Sequence, residues 1–281
     1  MRDSWKRTAR GAAVHRAVHQ VLEHGRIFAD PLAASIVTQD GEDAEALARD
    51  AAQDPHRRRM RMFIAVRSRF AEDSLAAAVE RGVRQLVVLG AGLDTYAYRG
   101  ALRDRLRIFE VDHPATQAWK RQRLAEAGIA LPLKLTFVPV DFERQTLGEG
   151  LFAAGFDPAE RSFFTWLGVV PYLTEAAIHA TLSFIGGLPG GAQVVFDYSN
   201  PPDSLSGEMR GFHDALAAHV AEIGEAFVSY FESDALAARL TALGFTAIED
   251  LGPPQIAARY FPQRIGSASA KGGHIVRAGT F

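Results

Sequence analysis

The chain has 281 residues, 48% hydrophobic and 23% charged, and its 31 Lys and Arg against 33 Asp and Glu leave a formal net charge of −2. That near-balance supplies no global basic field for nucleic acid or an anionic membrane surface. There is no cysteine, which excludes disulfides, thiolate metal sites and cysteine nucleophiles and fits a reducing compartment. The first residues, MRDSWKRTARGAAVHR, lack an apolar core, and no run of eighteen apolar residues follows. Neither a signal peptide nor a membrane span is expected, and the cytoplasm is the expected location.

In chain order, residues 1–80 read as helical. Asp30-Pro31 offers an N-cap and a first-turn proline to a short helix. Over 56–80, Met60, Ile64 or Phe63, Val66, Phe70, Leu75 and Ala78 recur on one stripe, predicting a long helix, with Arg57-Arg58-Arg59 as a solvated face. Beyond residue 80 short apolar runs alternate with helical segments. Strands are expected over Gln85–Leu89, Arg107–Val111, Leu135–Val140, Ser162–Val170 and Gln193–Tyr198, and helices over about 114–127, 143–154 and 174–185. That alternation, with buried valine-rich strands, predicts an α/β fold with a mostly parallel sheet covered on both faces. Pro201-Pro202 closes the fifth strand, and 203–228 interrupts the pattern as an inserted helical lid. A helix over 232–243 and strands near 246–251 and 273–279 finish the chain as an antiparallel sheet edge. One domain is expected: a helical cover (1–80), a cofactor-binding core (81–200), a lid (201–230) and the sheet edge (231–281).

The chemistry concentrates at the ends of the first three strands. Leu86-Val87-Val88-Leu89 runs into Gly90-Ala91-Gly92, a turn that in a doubly wound sheet faces the ligand crevice. Glycine suits it because a ligand approaches the backbone closely and positive φ can be required. The second strand ends in Glu110-Val111-Asp112, where an acid can accept the ribose hydroxyls of an adenosine cofactor. The third ends in Asp141-Phe142, a carboxylate and a ring suited to an adenine. NAD and S-adenosylmethionine both exploit such an arrangement. A dinucleotide fingerprint, however, wants a third glycine where Thr95 stands. S-adenosylmethionine carries a carboxylate in place of a pyrophosphate and needs a cation, for which Arg67 on the preceding helix is the candidate. Asp94 serves equally as a helix cap. His15 and His19, spaced i, i+4, could share a metal, but no third ligand is evident, and no metal is expected.

Val66-Arg67-Ser68-Arg69-Phe70, the segment Gln85 to Thr95 and Tyr98-Arg99 resemble the leucine carboxyl methyltransferase family, whose bacterial branch includes polyketide O-methyltransferases. Phe109-Glu110-Val111-Asp112-His113-Pro114 with Lys120, Val138-Pro139-Val140-Asp141-Phe142 and Tyr172-Leu173-Thr174-Glu175 extend the likeness over roughly residues 8–200. The resemblance implies a Rossmann-like class I methyltransferase fold with S-adenosyl-L-methionine as cofactor. It places Arg67 on the cofactor carboxylate, Gly90 against the cofactor, and Asp112, Asp141 and Phe142 on ribose and adenine; Ala91 and Gly92 of the same turn, and Leu167, are expected to line the cofactor too. Where the leucine carboxyl enzymes carry a glutamate, this chain has Leu167, so methylation of a protein's C-terminal leucine does not carry over. A small-molecule acceptor is expected, without nucleic acid or membrane partners, on a monomer or homodimer.

Methyl transfer from a sulfonium is an in-line displacement that depends on positioning. A carboxylate acceptor is already ionised at neutral pH, and the sequence shows no base constellation at the strand ends, so a carboxylate is favoured. Tyr172, Tyr198, Tyr260 and Arg264 are candidates for orienting it, and His213 for a base if the acceptor is a hydroxyl. Two alternatives stand beside this reading: an NAD(P)-dependent oxidoreductase, and a cofactor-binding module without transfer activity.

Overall fold

The computed structural model describes residues 4–38, 43–141, 145–222, 224–264 and 269–281. Its strands are β1 (Gln85–Leu89), β2 (Arg107–Asp112), β3 (Leu135–Pro139), β4 (Ser162–Trp166), β5 (Ala192–Ser199), β6 (Ala247–Leu251) and β7 (Gly273–Gly279). They form a seven-stranded sheet in the order β3-β2-β1-β4-β5-β7-β6. The helices are α1 (Ser4–Leu22), α2 (Ala33–Val37), α3 (Ala44–Ala52), α4 (Pro55–Glu80), α5 (Tyr96–Arg99) and α6 (Pro114–Glu126). They continue with α7 (Leu147–Ala153), α8 (Glu175–Gly186), α9 (Gly207–Glu222), α10 (Ser233–Ala242) and α11 (Pro253–Tyr260). No described helix is long and apolar enough to cross a membrane.

The chain divides into two compact units, one of residues 1–73 with 85–156, the other of residues 74–84 with 157–281. In the first, β1 pairs in parallel with β2, and β2 with β3. All five residues of β1 are buried, as a central parallel strand requires. α1 lays Val18 against Ala48 and Ala51 of α3, and its C-terminal end meets α4 through Glu23, whose carboxylate takes Nε and Nη2 of Arg61 at 2.8 Å each. The connection after β1 is short: α5 has four residues, with Tyr96 N–H donating to Asp94 at 2.8 Å. α6 begins on Pro114, and the His113 ring accepts the Ala115 N–H.

In the second unit β4 and β5 run parallel, and β7 is antiparallel to both β5 and β6. The predicted antiparallel edge is therefore present, and the mixed α/β fold is the expected one. Three local expectations need correction. The fourth strand stops at Trp166 and not at Val170, because Gly168 turns the chain at φ 72° and a 3-10 turn follows over Val170–Tyr172. The helix expected directly after Asp30-Pro31 starts at Ala33, although Asp30 still caps the turn before it, its Oδ1 accepting the Leu32 N–H at 3.2 Å while the carboxylate also pairs with Arg16 and Arg99. α11 was not expected at all. Its leading Pro253-Pro254 reads as a loop in sequence, yet proline is well suited to a first helical turn.

Candidate functional site

In the first unit the glycine turn leaves β1 with Gly90 at φ 63° and Gly92 at φ 41°, the left-handed region that favours glycine. Gly90 is exposed, Ala91 is buried with its N–H on Val111 O at 3.1 Å, and Gly92 N–H donates to Asp112 Oδ2 at 2.7 Å. The other Asp112 oxygen accepts the His113 N–H at 2.7 Å. Burial pushes this carboxyl above the ordinary range, while the backbone N–H groups of Gly92 and His113 pull the other way. The Thr116 side chain adds a third hydrogen bond, and since a carboxylate offers about four lone-pair sites, one remains for a ribose hydroxyl. The residues present thus fit an adenosine cofactor: a backbone turn open to close approach, and a strand-end acid with capacity to spare.

α5 has only four residues, so its helix end contributes little to holding an anion; Arg67 is the side-chain cation expected at a cofactor carboxylate. Arg67 lies on α4, whose Glu72 grips Arg99 at the end of α5 at 2.6 Å. Five residues of helix separate them, about 7.5 Å of rise. Arg67 is itself largely buried. Asp141 follows β3, half-buried, and Gln145 N–H donates to its carbonyl at 2.9 Å. Phe142 lies outside the described residues.

Glu110 is a correction. It is fully buried, with Lys120 Nζ at 2.7 Å and the Tyr98 hydroxyl donating at 3.3 Å. Burial raises its carboxyl to about 7 against the pull of Lys120. It supports the strand end from within and has no surface to offer a ribose. The third-glycine position is likewise filled: Thr95 is buried, donates to Asp30 at 2.8 Å and accepts from Arg99 at 2.9 Å. That leaves no glycine where a pyrophosphate turn needs one. Asp30, which sequence reading took for a simple cap, gathers Arg16 (3.0 Å), Arg99 (3.1 Å) and Thr95 behind the turn. Nothing local in the sequence reveals this, because the partners lie 14 to 69 residues away.

Leu167, expected among the cofactor-binding residues, and the acceptor candidates fall in the second unit. Leu167 is half-buried just after β4, where Gly168 N–H donates to Asp197 at 2.6 Å. Tyr172 ends the 3-10 turn, its ring 5.2 Å from Phe227. Tyr198 is a second correction. Its ring is buried and its hydroxyl is taken up by Asp250 at 2.6 Å and Ser233 at 3.0 Å, pinning β5 to β6 and α10. His213 on α9 has Nδ1 3.2 Å from Asp214 and Nε2 3.1 Å from the Tyr230 hydroxyl. Tyr260 ends α11, half-buried. The Arg264 backbone ends a 3-10 turn, and its side chain lies outside the described residues.

The strand order, the reversed β7 and a glycine turn opposed by a strand-end acid define the class I methyltransferase fold. The sequence matches the leucine carboxyl methyltransferase family over residues 9–186, and the chain belongs to that family. YktD of Bacillus subtilis, provisionally named an S-adenosyl-L-methionine-dependent methyltransferase, is 32% identical over 206 residues, 73% of this chain and 67% of that protein. A similarly named protein of Frankia alni is 35% identical over 184 residues, 64% of each. The chain spans about two thirds of the length of these relatives. Human N-acetylserotonin methyltransferase superposes with a TM-score of 0.47 at 14% identity, covering 94% of this chain and 66% of that one.

Proposed function

We propose that this S-adenosylmethionine-dependent methyltransferase methylates an oxygen of a small-molecule acceptor, and that the acceptor is a carboxylate. The observation that carries the reading is the Gly90–Gly92 turn locked to Asp112, followed by α5, which Glu72 of the Arg67-bearing helix grips through Arg99. When bound, the cofactor supplies an electrophilic sulfonium methyl. Arg67 would hold its carboxylate, Asp112 the ribose, and Asp141 with Phe142 the adenine, while Gly90, Ala91 and Gly92 let the chain lie close. An acceptor carboxylate, already ionised at neutral pH, would take that methyl without giving up a proton, so the chain would need no general base.

Calorimetric titration with S-adenosylhomocysteine is expected to give micromolar binding, with none for NAD⁺ under the same conditions. Arg67→Ala and Asp112→Ala should each weaken that binding at least tenfold, roughly 1.4 kcal/mol, with the fold intact by circular dichroism. Unchanged affinity in both would remove the cofactor from this turn.

The Asp214–His213–Tyr230 chain of hydrogen bonds favours one second reading, a hydroxyl acceptor deprotonated through His213. The pH dependence of kcat/KM discriminates. A carboxylate acceptor should give no rising limb between pH 6 and 8. A rising limb abolished by His213→Gln would establish the hydroxyl.

A further inference from the structure

We infer that Asp94 holds the ammonium at the amino-acid end of the cofactor, as the counterpart of the carboxylate assigned to Arg67. The inference rests on the methyltransferase reading above and adds the second half of the grip on the methionine.

Asp94 stands two residues past Gly92 and belongs to the same turn, since its N–H donates to Ala91 O at 2.7 Å. One carboxylate oxygen is accounted for: Oδ1 accepts the Tyr96 N–H at 2.8 Å and caps α5. The other, Oδ2, receives no hydrogen bond among the described residues and is not sealed in the interior. Leu93 and Thr95 on either side are buried, whereas Asp94 is half-buried. Capping needs only an oxygen acceptor, which asparagine supplies equally well. The charge of Asp94 is left to be explained.

The surroundings call for a cation. Burial raises the carboxyls of Glu72 and Glu110 and the hydroxyls of Tyr96 and Tyr98, and in all four the Asp94 charge raises them further. Its field thus reaches α4, α5 and β2 at once. The other acids there are paired: Asp30 with Arg16 and Arg99, Glu72 with Arg99, and Glu110 with Lys120. Asp94 forms no ion pair among the described residues. A charge drawn from water without a partner is unfavourable, and a cation that arrives with the ligand relieves it.

The place suits an amino acid. The ammonium and carboxylate of the cofactor share one carbon, so the groups that hold them must converge. Arg67 lies on α4, and Glu72 of that helix holds Arg99 at the end of α5 at 2.6 Å. Asp94 caps the start of the same four-residue helix. A guanidinium and a carboxylate together match a zwitterion, and each alone matches only half of it.

The test is calorimetric titration of the full chain with three probes. They are S-adenosylhomocysteine, its desamino analogue without the ammonium, and its decarboxylated analogue without the carboxylate. Removing the ammonium should cost the wild type at least about tenfold in affinity. Asp94→Asn keeps the cap, and it should bind S-adenosylhomocysteine at least about tenfold more weakly. The same variant should bind the desamino analogue as well as the wild type does, which a mere folding defect would not allow. The decarboxylated analogue should suffer fully from Asp94→Asn and less than about twofold from Arg67→Ala. An ammonium that the wild type does not sense would overturn the assignment. So would an asparagine variant that weakens all three probes alike, or none. Failure of S-adenosylhomocysteine to bind the wild type would instead strike the cofactor reading, and this inference with it.

Discussion

Lys120→Met should destabilise the fold by about 3–5 kcal/mol at pH 8, because it leaves a carboxylate buried without its counter-charge. Lys120 is 1% exposed, Glu110 not at all, and their charged atoms are 2.7 Å apart. Tyr98 alone would remain, a neutral donor at 3.3 Å. The deficit should depend on pH in a definite direction. Burial already raises Glu110 from 4.5 to about 7 with the lysine present, and removing the lysine raises it further. Below the unfolded value both states hold the proton and the variant suffers little. As pH rises past it, the unfolded chain releases the proton while the folded chain keeps it, so stability falls progressively up to and beyond pH 7. Urea unfolding at pH 5 and pH 8 should show a small loss at the first and the full loss at the second. The double variant Glu110→Gln with Lys120→Met should recover most of it. Equal losses at both pH values would mean that Glu110 is not the group responsible.

Asp30→Ala should be nearly as severe, about 3 kcal/mol or more, which for a chain of this size corresponds to a fall in Tm of roughly 6–12 °C. The carboxylate is buried beneath Arg16, Arg99 and the Thr95 hydroxyl, and all three lose a partner together. The effect should also reach the ligand. Arg16 holds Leu93 O and Arg99 holds Thr95, so the segment leaving the glycine turn depends on the same acid at two points. We expect S-adenosylhomocysteine to bind at least tenfold more weakly to Asp30→Ala at a temperature where the variant is still folded. A variant with lowered Tm and undiminished affinity would show that the network supports the fold and leaves the turn alone.

Much of the architecture is legible in the sequence wherever burial alone decides. β1 is a run of fully buried residues between Arg84 and Gly90, and its expected limits are the observed ones. The reversed edge is readable because two late apolar runs follow a lid-like break. The fourth strand was overextended because Leu167 to Val170 is apolar throughout except for glycine, and composition does not reveal that Gly168 adopts positive φ. At the site, the positions of the turn and of Asp112 follow from strand spacing. The division of labour between Glu110 and Asp112 does not, since both project to the same side of β2. What separates them is depth: Glu110 lies two residues further in and meets a lysine from α6. The anchoring of Tyr198 is hidden for a similar reason. Its hydroxyl partner, Asp250, is 52 residues away, and only tertiary pairing of β5, β7 and β6 brings the two together.

The helix lying across the glycine turn limits how the turn itself can change. A Cβ on Gly92 would stand 3.2 Å from that of Ala9, and the backbone there has φ 41°, so any side chain at this position meets a helix as well as a strained conformation. Arg16 of the same helix holds Leu93 O. The N-terminal helix and the glycine turn are therefore bound to vary together: a larger residue at one requires a compensating change at the other.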